Sequence, residues 1–316
     1  MAANDSEKSR LDEAARAGWL YFIAGHTQDE IARMLQVSRA SAQRLVSLCL
    51  AERLITFRLE HPIASCMELA ARLKSRFDLV HCDVVPTDPA QPSANAGIAE
   101  RCANLLEITL RAERPVIIAL GTGRAVRAAV ERVSPIDRPE HQIVSLVGNI
   151  LADGSASFFD TVGRLADRTG ARHYPMPLPF LMASGHERDQ MVRIDAITKV
   201  KAVAAKADLR LVGLGQMDQK AQMHVDGFVT REELYEMMRL GAVGEVTGWA
   251  FDAKGRLIKG GTNRRLTSIP PEVPVKAATI AAALGPAKIP AIRAALTGRL
   301  INGLITDEAT AQAILA

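Results

Sequence analysis

The amino-acid sequence predicts an α/β protein that begins with a small helical unit. In the first sixty residues, helical periodicity is interrupted by one short turn. From His61 onward, continuous apolar runs alternate with helical patterns, which is typical of a mainly parallel sheet covered by helices on both faces. Three of the apolar runs end in glycine turns. We therefore expect two domains, residues 1–60 and residues 61–316.

The composition excludes several classes of protein. The chain has 316 residues, of which 48% are hydrophobic and 23% charged, as in ordinary globular proteins. It contains no apolar run of the roughly 18 residues that a membrane helix needs, and its first residues lack the apolar core of a signal peptide. We therefore expect a cytoplasmic protein with no membrane partner. The four cysteines are widely spaced, which predicts free thiols, no disulfide, no metal site and no cofactor.

The segment TQDEIARMLQVSRASAQRLVSL, which begins at Thr27, has the pattern of a helix-turn-helix. Thr27 and Glu30 form a capping box that starts one helix, and Ser38 is placed to cap the next. Val37 supplies the apolar residue expected in the turn, while Gln36 stands where glycine is commoner. An upstream helix at about residues 11–24 completes a three-helix unit.

The second helix of this motif predicts contact with operator DNA. In DNA-binding versions, residues near its start enter the major groove, where arginine pairs with guanine and glutamine with adenine. Five arginines face a single acid between Arg33 and Arg58, although residues 1–61 carry no net charge. The following LITFRLEHP suits a winged variant; the alternative is a helical bundle with a solvated polar face. The candidate DNA-binding residues are Ser38, Arg39, Ala40, Gln43, Arg44 and Ser47.

The second domain is expected to alternate strands and helices in chain order. Strands are predicted in DLVHCDVVP, VIIAL, QIVSLVGNI, ARHYPMPLP and DLRLVGLG. Helices are predicted at residues 94–114, from Arg124, at about 159–169, and as one long helix at about 187–206. The segment GAVGEVTGWAFDAKG is too rich in glycine for a helix and indicates a loop and hairpin.

Three glycine turns follow predicted strands, at residues 121–123, 148–149 and 213–215. In open α/β sheets, ligands bind beyond the carboxyl ends of the strands, and backbone amides there suit phosphate or sugar oxygens. Arg124 is placed to clamp an anion, unless it is simply solvated at the start of a helix. The first turn does not match a dinucleotide fingerprint, because Val126 stands where a small residue should pack, and the chain has no P-loop.

Three further side chains allow both a binding and a structural interpretation. Glu245 and Asp252, in the predicted hairpin, have the chemistry to bind sugar hydroxyls or to cap turns. Lys288 follows an apolar run at residues 277–284, and its ammonium either reaches a ligand at the same sheet edge or lies on the surface.

Taken together, these segments resemble the SorC family of sugar-responsive transcriptional regulators over essentially the whole chain. The matching pieces include LGTGRAV, YPMPLPF, ADLRLVGLGQMD and AIRAALTGRLINGLITDEATAQAIL, together with the helix-turn-helix and the hairpin segment. The resemblance implies a DNA-binding head and an effector domain similar in fold to sugar-phosphate isomerases and deaminases. It also implies oligomerisation, here expected as a homotetramer built from two dimers, and an inducer that is a sugar, polyol or sugar phosphate.

The resemblance also maps an effector site onto this sequence. The positions that match are Gly121, Thr122, Gly123, Arg124, Gly148, Asn149, Gly213, Gly215, Glu245 and Lys288. The alternative is an enzyme of the sugar-phosphate isomerase or deaminase type, which would need a poised acid–base pair near the glycine turns. No His–Glu or Asp–His pair at catalytic spacing follows the strands, so we expect a regulator with no catalytic residue.

Overall fold

A computed structural model describes residues 2–52, 54–55, 63–91, 95–151, 154–156 and 159–316. The chain divides into two compact units, residues 1–61 and residues 62–316, which are described separately. The expected wing segment, LITFRLEHP, lies outside the described residues except for Leu54 and Ile55.

In its described residues, the first unit is built from three helices and one π-helical turn. In chain order these are α1 (Ala2–Gly18), the π-helical turn (Trp19–Ile23), α2 (Gln28–Met34) and α3 (Arg39–Ala51). Its small core is apolar and consists of Ala17, Ile31, Ala32, Ala42 and Val46. The starts of α2 and α3 agree with the sequence prediction, because Thr27 and Glu30 form a complete capping box and Ser38 caps α3. The upstream helix, predicted to begin at about residue 11, begins at Ala2.

The turn between α2 and α3 requires a left-handed residue. Gln36 has φ 54°, and the next N–H, of Val37, donates to the Ala32 carbonyl at 2.9 Å. This hydrogen bond belongs to a Schellman-type helix end, in which glycine usually takes the left-handed position. A glutamine side chain is strained there, because its Cβ approaches the backbone closely.

Replacing Gln36 by glycine is expected to stabilise the first unit by about 0.5–1 kcal/mol, because relief of the left-handed strain exceeds the added entropy of the unfolded chain. Hydrogen exchange of the amides in α2 and α3, measured on the full chain, should slow. Gln43→Gly is the matched control: it lies within α3, where glycine costs about 1 kcal/mol. Faster exchange in Gln36→Gly would contradict the strain interpretation.

The second unit is organised around a mainly parallel sheet. The strands are β1 (His81–Val85), β2 (Ile117–Leu120), β3 (Gln142–Ile150), β4 (Arg172–Pro179), β5 (Leu209–Gln216), β6 (Ala242–Val246), β7 (Trp249–Asp252), β8 (Ala278–Ala282) and β9 (Gly303–Asp307). The parallel strands have the order β1-β9-β8-β5-β2-β3-β4. The hairpin of β6 and β7 continues from β5 by antiparallel pairing. The predicted fold class is therefore confirmed.

Helices cover both faces of this sheet. They are α4 (Ala64–Phe77), α5 (Ala96–Leu110), α6 (Arg124–Val130), α7 (Thr161–Thr169), α8 (Gly185–Met191), α9 (Asp195–Ala205), α10 (Gln222–Val225), α11 (Arg231–Arg239), α12 (Ile289–Thr297) and α13 (Glu308–Leu315). Helices α5, α6 and α7 bury their apolar sides in one core. Helices α4, α9, α11, α12 and α13 contribute to a second core. The parallel strands run between these layers, so their carboxyl ends open at one edge of the sheet.

The prediction of one long helix at about residues 187–206 is wrong. The structure has two helices, α8 and α9, separated by extended backbone at Ile194. Only α9 buries residues at helical spacing, through Ile197, Val200 and Ala204, whereas α8 has no buried residue. The two segments therefore pack differently: one side of α9 is buried in the core, whereas α8 lies on the surface.

The four cysteines are free thiols, three of them buried and Cys82 half-buried. Among the described residues, no helix is both long and apolar enough to cross a membrane.

Candidate functional site

The six candidate DNA-binding residues form one exposed face of the first unit. Ser38 accepts the Ser41 N–H at 3.1 Å and so fixes where α3 begins. Ala42, Val46 and Cys49 turn inward from the same helix. The outward positions are therefore those at the helix start and one turn further on, and all are exposed: Ser38, Arg39, Ala40, Gln43, Arg44 and Ser47.

The two arginines on this face have different neighbours. Arg39 Nε lies 3.3 Å from Asp29 Oδ1, but both side chains are mostly exposed, so the pair is weak and open to exchange. Arg44 Nη2 donates to the neutral Ser41 Oγ at 3.1 Å. Both guanidinium groups are therefore accessible, and each loses little free energy when it leaves its present partner. Side chains that bind another molecule need this property.

In the second unit, a cavity of about 560 Å³ opens beyond the carboxyl ends of β2, β5 and β8. This volume lies in the range of small-molecule pockets. The predicted site residues that line it come from four parts of the chain: Thr122, Gly123, Arg124, Gly213, Gly215, Glu245 and Lys288. The central position of β5, between β2 and β8, brings these loops together.

Glu245 lies on β6, beside the carboxyl end of β5. Gly215 pairs with Glu245 across the two antiparallel strands. A Cβ on Gly215 would lie 2.1 Å from Glu245 Oε1, so only glycine leaves space for this carboxylate. The other oxygen, Oε2, accepts the Gly248 N–H at 2.7 Å. The carboxylate is therefore fixed by one oxygen and presents the other to the cavity.

Burial shifts the ionisation of Glu245 and of Lys288, which lines the same cavity. Burial raises the pKa of the Glu245 carboxyl, against the opposing effects of the Gly248 N–H and Lys288. Burial lowers the pKa of the Lys288 ammonium, which Glu245 opposes and Arg124 reinforces. Desolvated charges of this kind interact more strongly with a polar ligand than exposed charges do.

Arg124 is tied to the opposite wall of the cavity. Its Nη2 donates to Asp226 Oδ1 at 2.6 Å, and its guanidinium lies 5.9 Å from the centre of the Phe159 ring. The Asp226 side chain is only 15% exposed, whereas that of Arg124 is 46% exposed. Burial raises the pKa of Asp226, and the neighbouring Arg124 limits that rise. The predicted anion clamp is thus already paired with a carboxylate of this chain.

Sequence reasoning missed several polar residues in this cavity. Gln216 ends β5, Gln222 begins α10, and Asp226 follows that helix. Each is an ordinary polar residue at the end of a strand or of a short helix, and only the folding of residues 217–226 over the sheet edge brings them inside. Asn95 and Thr247 also line the cavity.

Three predicted residues lie in a separate recess of about 20 Å³, formed by β3, β4 and α7: Gly121, Gly148 and Asn149. Thr122 lines both this recess and the larger cavity. A volume this small holds about one water molecule. The structure therefore brings Gly148 and Asn149 near the main cavity but not into it.

Gly148 is required by close packing of the backbone. A Cβ there would lie 2.6 Å from Thr267 Oγ1, 2.7 Å from the Leu178 carbonyl and 2.8 Å from the Pro179 carbonyl. Gly148→Ala is therefore expected to lower the free energy of unfolding by about 1–2 kcal/mol, because β4 must move away. Denaturant unfolding checks this result. Gly227→Ala, which meets open space, tests strain from φ 78° alone, without any clash. Equal stability of Gly148→Ala and the wild type would contradict the packing argument.

Asp252 lies outside the cavity and acts on its own hairpin. Its Oδ1 accepts the N–H groups of Lys254 and Arg256 at 2.9 Å and 3.0 Å, and its Oδ2 accepts from Arg256 Nε at 2.8 Å. Both carboxylate oxygens are therefore used within the turn. The sequence allowed Asp252 either to bind a sugar hydroxyl or to cap a turn, and these contacts match the second interpretation.

The cavity offers hydrogen-bonding groups but no metal-binding cluster. Across the part of the chain that the structure describes, no three His, Cys, Asp or Glu side chains come together in a way that could hold a metal ion. The donors include Arg124 and Lys288, the acceptors include Glu245 and Asp226, and the amides of Gln216 and Gln222 carry both kinds of group. Such a mixture of donors and acceptors matches a molecule with several hydroxyl groups.

Comparison with known proteins agrees with this architecture. Residues 61–316 match the Sugar-bind family model, described as "Putative sugar-binding domain". The chain is 30% identical over 302 residues to the erythritol catabolism regulatory protein EryD of Brucella abortus, covering 96% of both proteins. It is 29% identical to the transcriptional regulator LsrR of Escherichia coli K12, covering 100% of this chain and 99% of LsrR.

Solved structures show the same fold. The full-length sorbitol operon regulator SorC from Klebsiella pneumoniae superposes with a TM-score of 0.69 at 23% identity, covering 97% of this chain and 99% of that one. A DeoR family regulator from Listeria monocytogenes gives a TM-score of 0.71 at 20% identity, covering 79% of this chain and 99% of that one.

A helix-turn-helix followed by an α/β domain with a polar cavity defines a ligand-controlled transcriptional regulator. The chain belongs to the SorC family of sugar-binding transcriptional regulators. This confirms the family that the sequence motifs indicated. The relatives are regulators, which also supports the choice of a regulator over an enzyme.

Proposed function

We propose that this protein regulates an operon for the use of a carbohydrate or polyol. Residues 1–60 would bind operator DNA, and residues 61–316 would bind the effector and form the oligomer. The effector would be a sugar, a polyol or a sugar phosphate, in agreement with the catabolic role in the name of EryD. We place the protein in the cytoplasm, where operator DNA and metabolites meet.

The observation that carries the proposal is the composition of the cavity. Side chains and amides from the ends of three parallel strands converge on one space of about 560 Å³ in a chain that also contains a helix-turn-helix. A ligand that binds there changes DNA affinity only if it binds two states of the protein differently. The loops after the strands are the elements that such a ligand would touch.

DNA recognition would be carried by the exposed face of α3. Ser38, Ala40 and Ser47 are small enough to let the helix approach the groove, while Arg39, Gln43 and Arg44 are long enough to reach base edges. The proposed homotetramer would present heads in pairs, because dimeric helix-turn-helix proteins read half-sites one helical turn, or a multiple of it, apart. The operator is therefore expected to contain an inverted repeat.

A mobility-shift titration tests the proposal. The full chain is titrated against the DNA upstream of its own gene, at several salt concentrations, with and without sugars, polyols and sugar phosphates. We expect salt-sensitive, sequence-specific binding that at least one of these compounds alters. A thermal-shift screen with the same compounds identifies the effector, because a ligand that binds only the folded state raises the unfolding temperature. Absence of specific binding to this DNA, or turnover of a sugar phosphate, would overturn the proposal.

A further inference from the structure

The charges that face the cavity cancel. Among its described lining residues, four are ionisable: Arg124, Asp226, Glu245 and Lys288. Two are cations and two are carboxylates. Asp226 Oδ1 already lies 2.6 Å from Arg124, and Glu245 and Lys288 interact electrostatically with each other. Burial moves the pKa of Glu245 and that of Lys288 toward the neutral forms, and this leaves the summed charge of that pair at zero.

Asp226 is held in place by a packed segment. Met223, Phe228 and Val229, on either side of it, are at most 8% exposed, and Phe228 packs against Phe180 with ring centres 4.7 Å apart. The Asp226 N–H also donates to the Gln222 carbonyl at 2.8 Å. The carboxylate therefore stays beside Arg124 unless the packing of this segment is broken.

Among the residues that the structure describes, two glutamine oxygens close to the cavity lack hydrogen-bond donors. Within the described part of the chain, Oε1 of Gln216 and Oε1 of Gln222 are buried without a hydrogen-bond partner. Glu245 also lines the cavity, and Gly248 donates to its Oε2, not to its Oε1. Buried acceptors of this kind are costly until a donor reaches them. Hydroxyl groups supply such donors, and both a polyol and a sugar phosphate carry them, so these acceptors favour a ligand with several hydroxyls and the charges decide between the two classes.

A phosphate bound at Arg124 would meet two costs. It would bring about −1.5 to −2 charges into a space whose charges already cancel. It would also compete with Asp226, a carboxylate that is only 15% exposed and that would lose its cation. Asp226 is the more buried member of this pair, and leaving a largely buried carboxylate without its cation is costly. A neutral ligand with several hydroxyls meets neither cost.

We propose that the effector is an uncharged polyol or sugar, and that Asp226 is the residue that excludes phosphorylated ligands from this cavity. The inference rests on the proposed function and narrows it to one of the two ligand classes left open there. The Asp226 carboxylate pairs with the Arg124 guanidinium, which is the group that a phosphate would otherwise bind. The ligand hydroxyl groups bind to Glu245, while Gln216 and Gln222 line the same cavity.

Calorimetric titration of the full chain with matched pairs of compounds tests this inference. The pairs are erythritol and erythritol 4-phosphate, ribitol and ribitol 5-phosphate, and sorbitol and sorbitol 6-phosphate, with inorganic phosphate alone as a further probe. The same compounds are added to the operator titration. At least one neutral member is expected to bind and to alter DNA affinity, while its phosphate binds at least about tenfold more weakly, equivalent to about 1.4 kcal/mol.

The substitution Asp226→Asn is expected to reverse part of this preference. It removes the competing charge and leaves Arg124 free to meet a phosphate, so the ratio of the two Kd values should move by at least about tenfold toward the phosphorylated member. Asp226→Ser repeats the test with a smaller side chain if the first variant unfolds. Asp195→Asn is the matched control, because Asp195 is 80% exposed on α9 and does not line the cavity.

The outcomes separate this inference from the proposed function. Tighter binding of a phosphorylated member by the wild type would overturn the inference and leave the regulator intact. An unchanged Kd ratio in both Asp226 variants would overturn the exclusion role of this residue. If no compound of either series binds or alters DNA affinity, the inference and the choice of sugars and polyols as effectors both fail. A gain of phosphate binding in Asp226→Asn, but not in Asp195→Asn, supports the inference.

Discussion

Replacing Glu245 by glutamine is expected to weaken effector binding by about 10- to 150-fold, equivalent to about 1.5–3 kcal/mol. Glu245 Oε2 accepts the Gly248 N–H, and in the proposed complex the other oxygen accepts a hydrogen bond from the ligand. In glutamine, the single amide oxygen continues to accept from Gly248, so an N–H group faces the cavity instead. A ligand hydroxyl then loses a charged acceptor in a desolvated position. Calorimetric titration with the effector measures the change.

Asp252→Asn is the matched control for this prediction. Asp252 lies on the same hairpin, but it uses both oxygens to hold its own turn. Asparagine keeps an oxygen for the N–H groups of Lys254 and Arg256, so effector binding should remain within about twofold of the wild type. Equal loss of binding in the Glu245 and Asp252 variants would mean that the hairpin, and not the carboxylate at its start, governs the response. Unchanged binding in Glu245→Gln would remove Glu245 from the site.

The different roles of these two acids depend on strand register, which the sequence does not reveal. Both stand in one glycine-rich segment, and each has the chemistry for either role. Antiparallel pairing places Glu245 opposite Gly215, at the ligand edge of β5, whereas Asp252 lies opposite Ala242 at the far end of the hairpin. Register therefore assigns the roles, and it is fixed by pairing between segments about thirty residues apart.

The sequence predicted well those elements whose formation depends on residues close to each other in the chain. The starts of α2 and α3 follow from side chains that cap backbone groups three residues away. The parallel strands follow from continuous apolar runs, because both faces of the sheet are buried. The convergence of two of the three predicted glycine turns, at residues 121–123 and 213–215, also followed from a general property of α/β sheets, whereas the turn at 148–149 lies in a separate recess.

The residues that sequence missed depend on distant contacts. Arg124 and Asp226 are 102 positions apart, and nothing in the local sequence of either one indicates the other. Gln216 and Gln222 become part of the cavity only because α10 folds across the end of β5. Gly148 shows the opposite case. Its position after a strand suggested ligand contact, but the approach of two carbonyls from β4 explains the glycine.

Replacing Arg44 by alanine is expected to reduce operator affinity by about 5- to 150-fold, equivalent to about 1–3 kcal/mol, if its guanidinium reads a guanine. Arg44 is exposed on the outer face of α3, and among the described residues its partner is the neutral Ser41 hydroxyl alone. It therefore reaches DNA without first breaking an ion pair. Arg39 must exchange the Asp29 carboxylate for its DNA partner, so Arg39→Ala should cost less. Mobility-shift titration at fixed salt measures both losses.

The pattern of loss across operator sequences identifies the kind of contact. If Arg44 reads a base, the variant loses discrimination at one position of each half-site, while binding to unrelated DNA changes little. If it contacts a phosphate, all sequences weaken equally and the salt slope falls by about 1. Arg10→Ala removes the same charge from an exposed position on α1 and serves as the matched control. Wild-type operator affinity in both Arg39→Ala and Arg44→Ala would show that the recognition helix lies elsewhere.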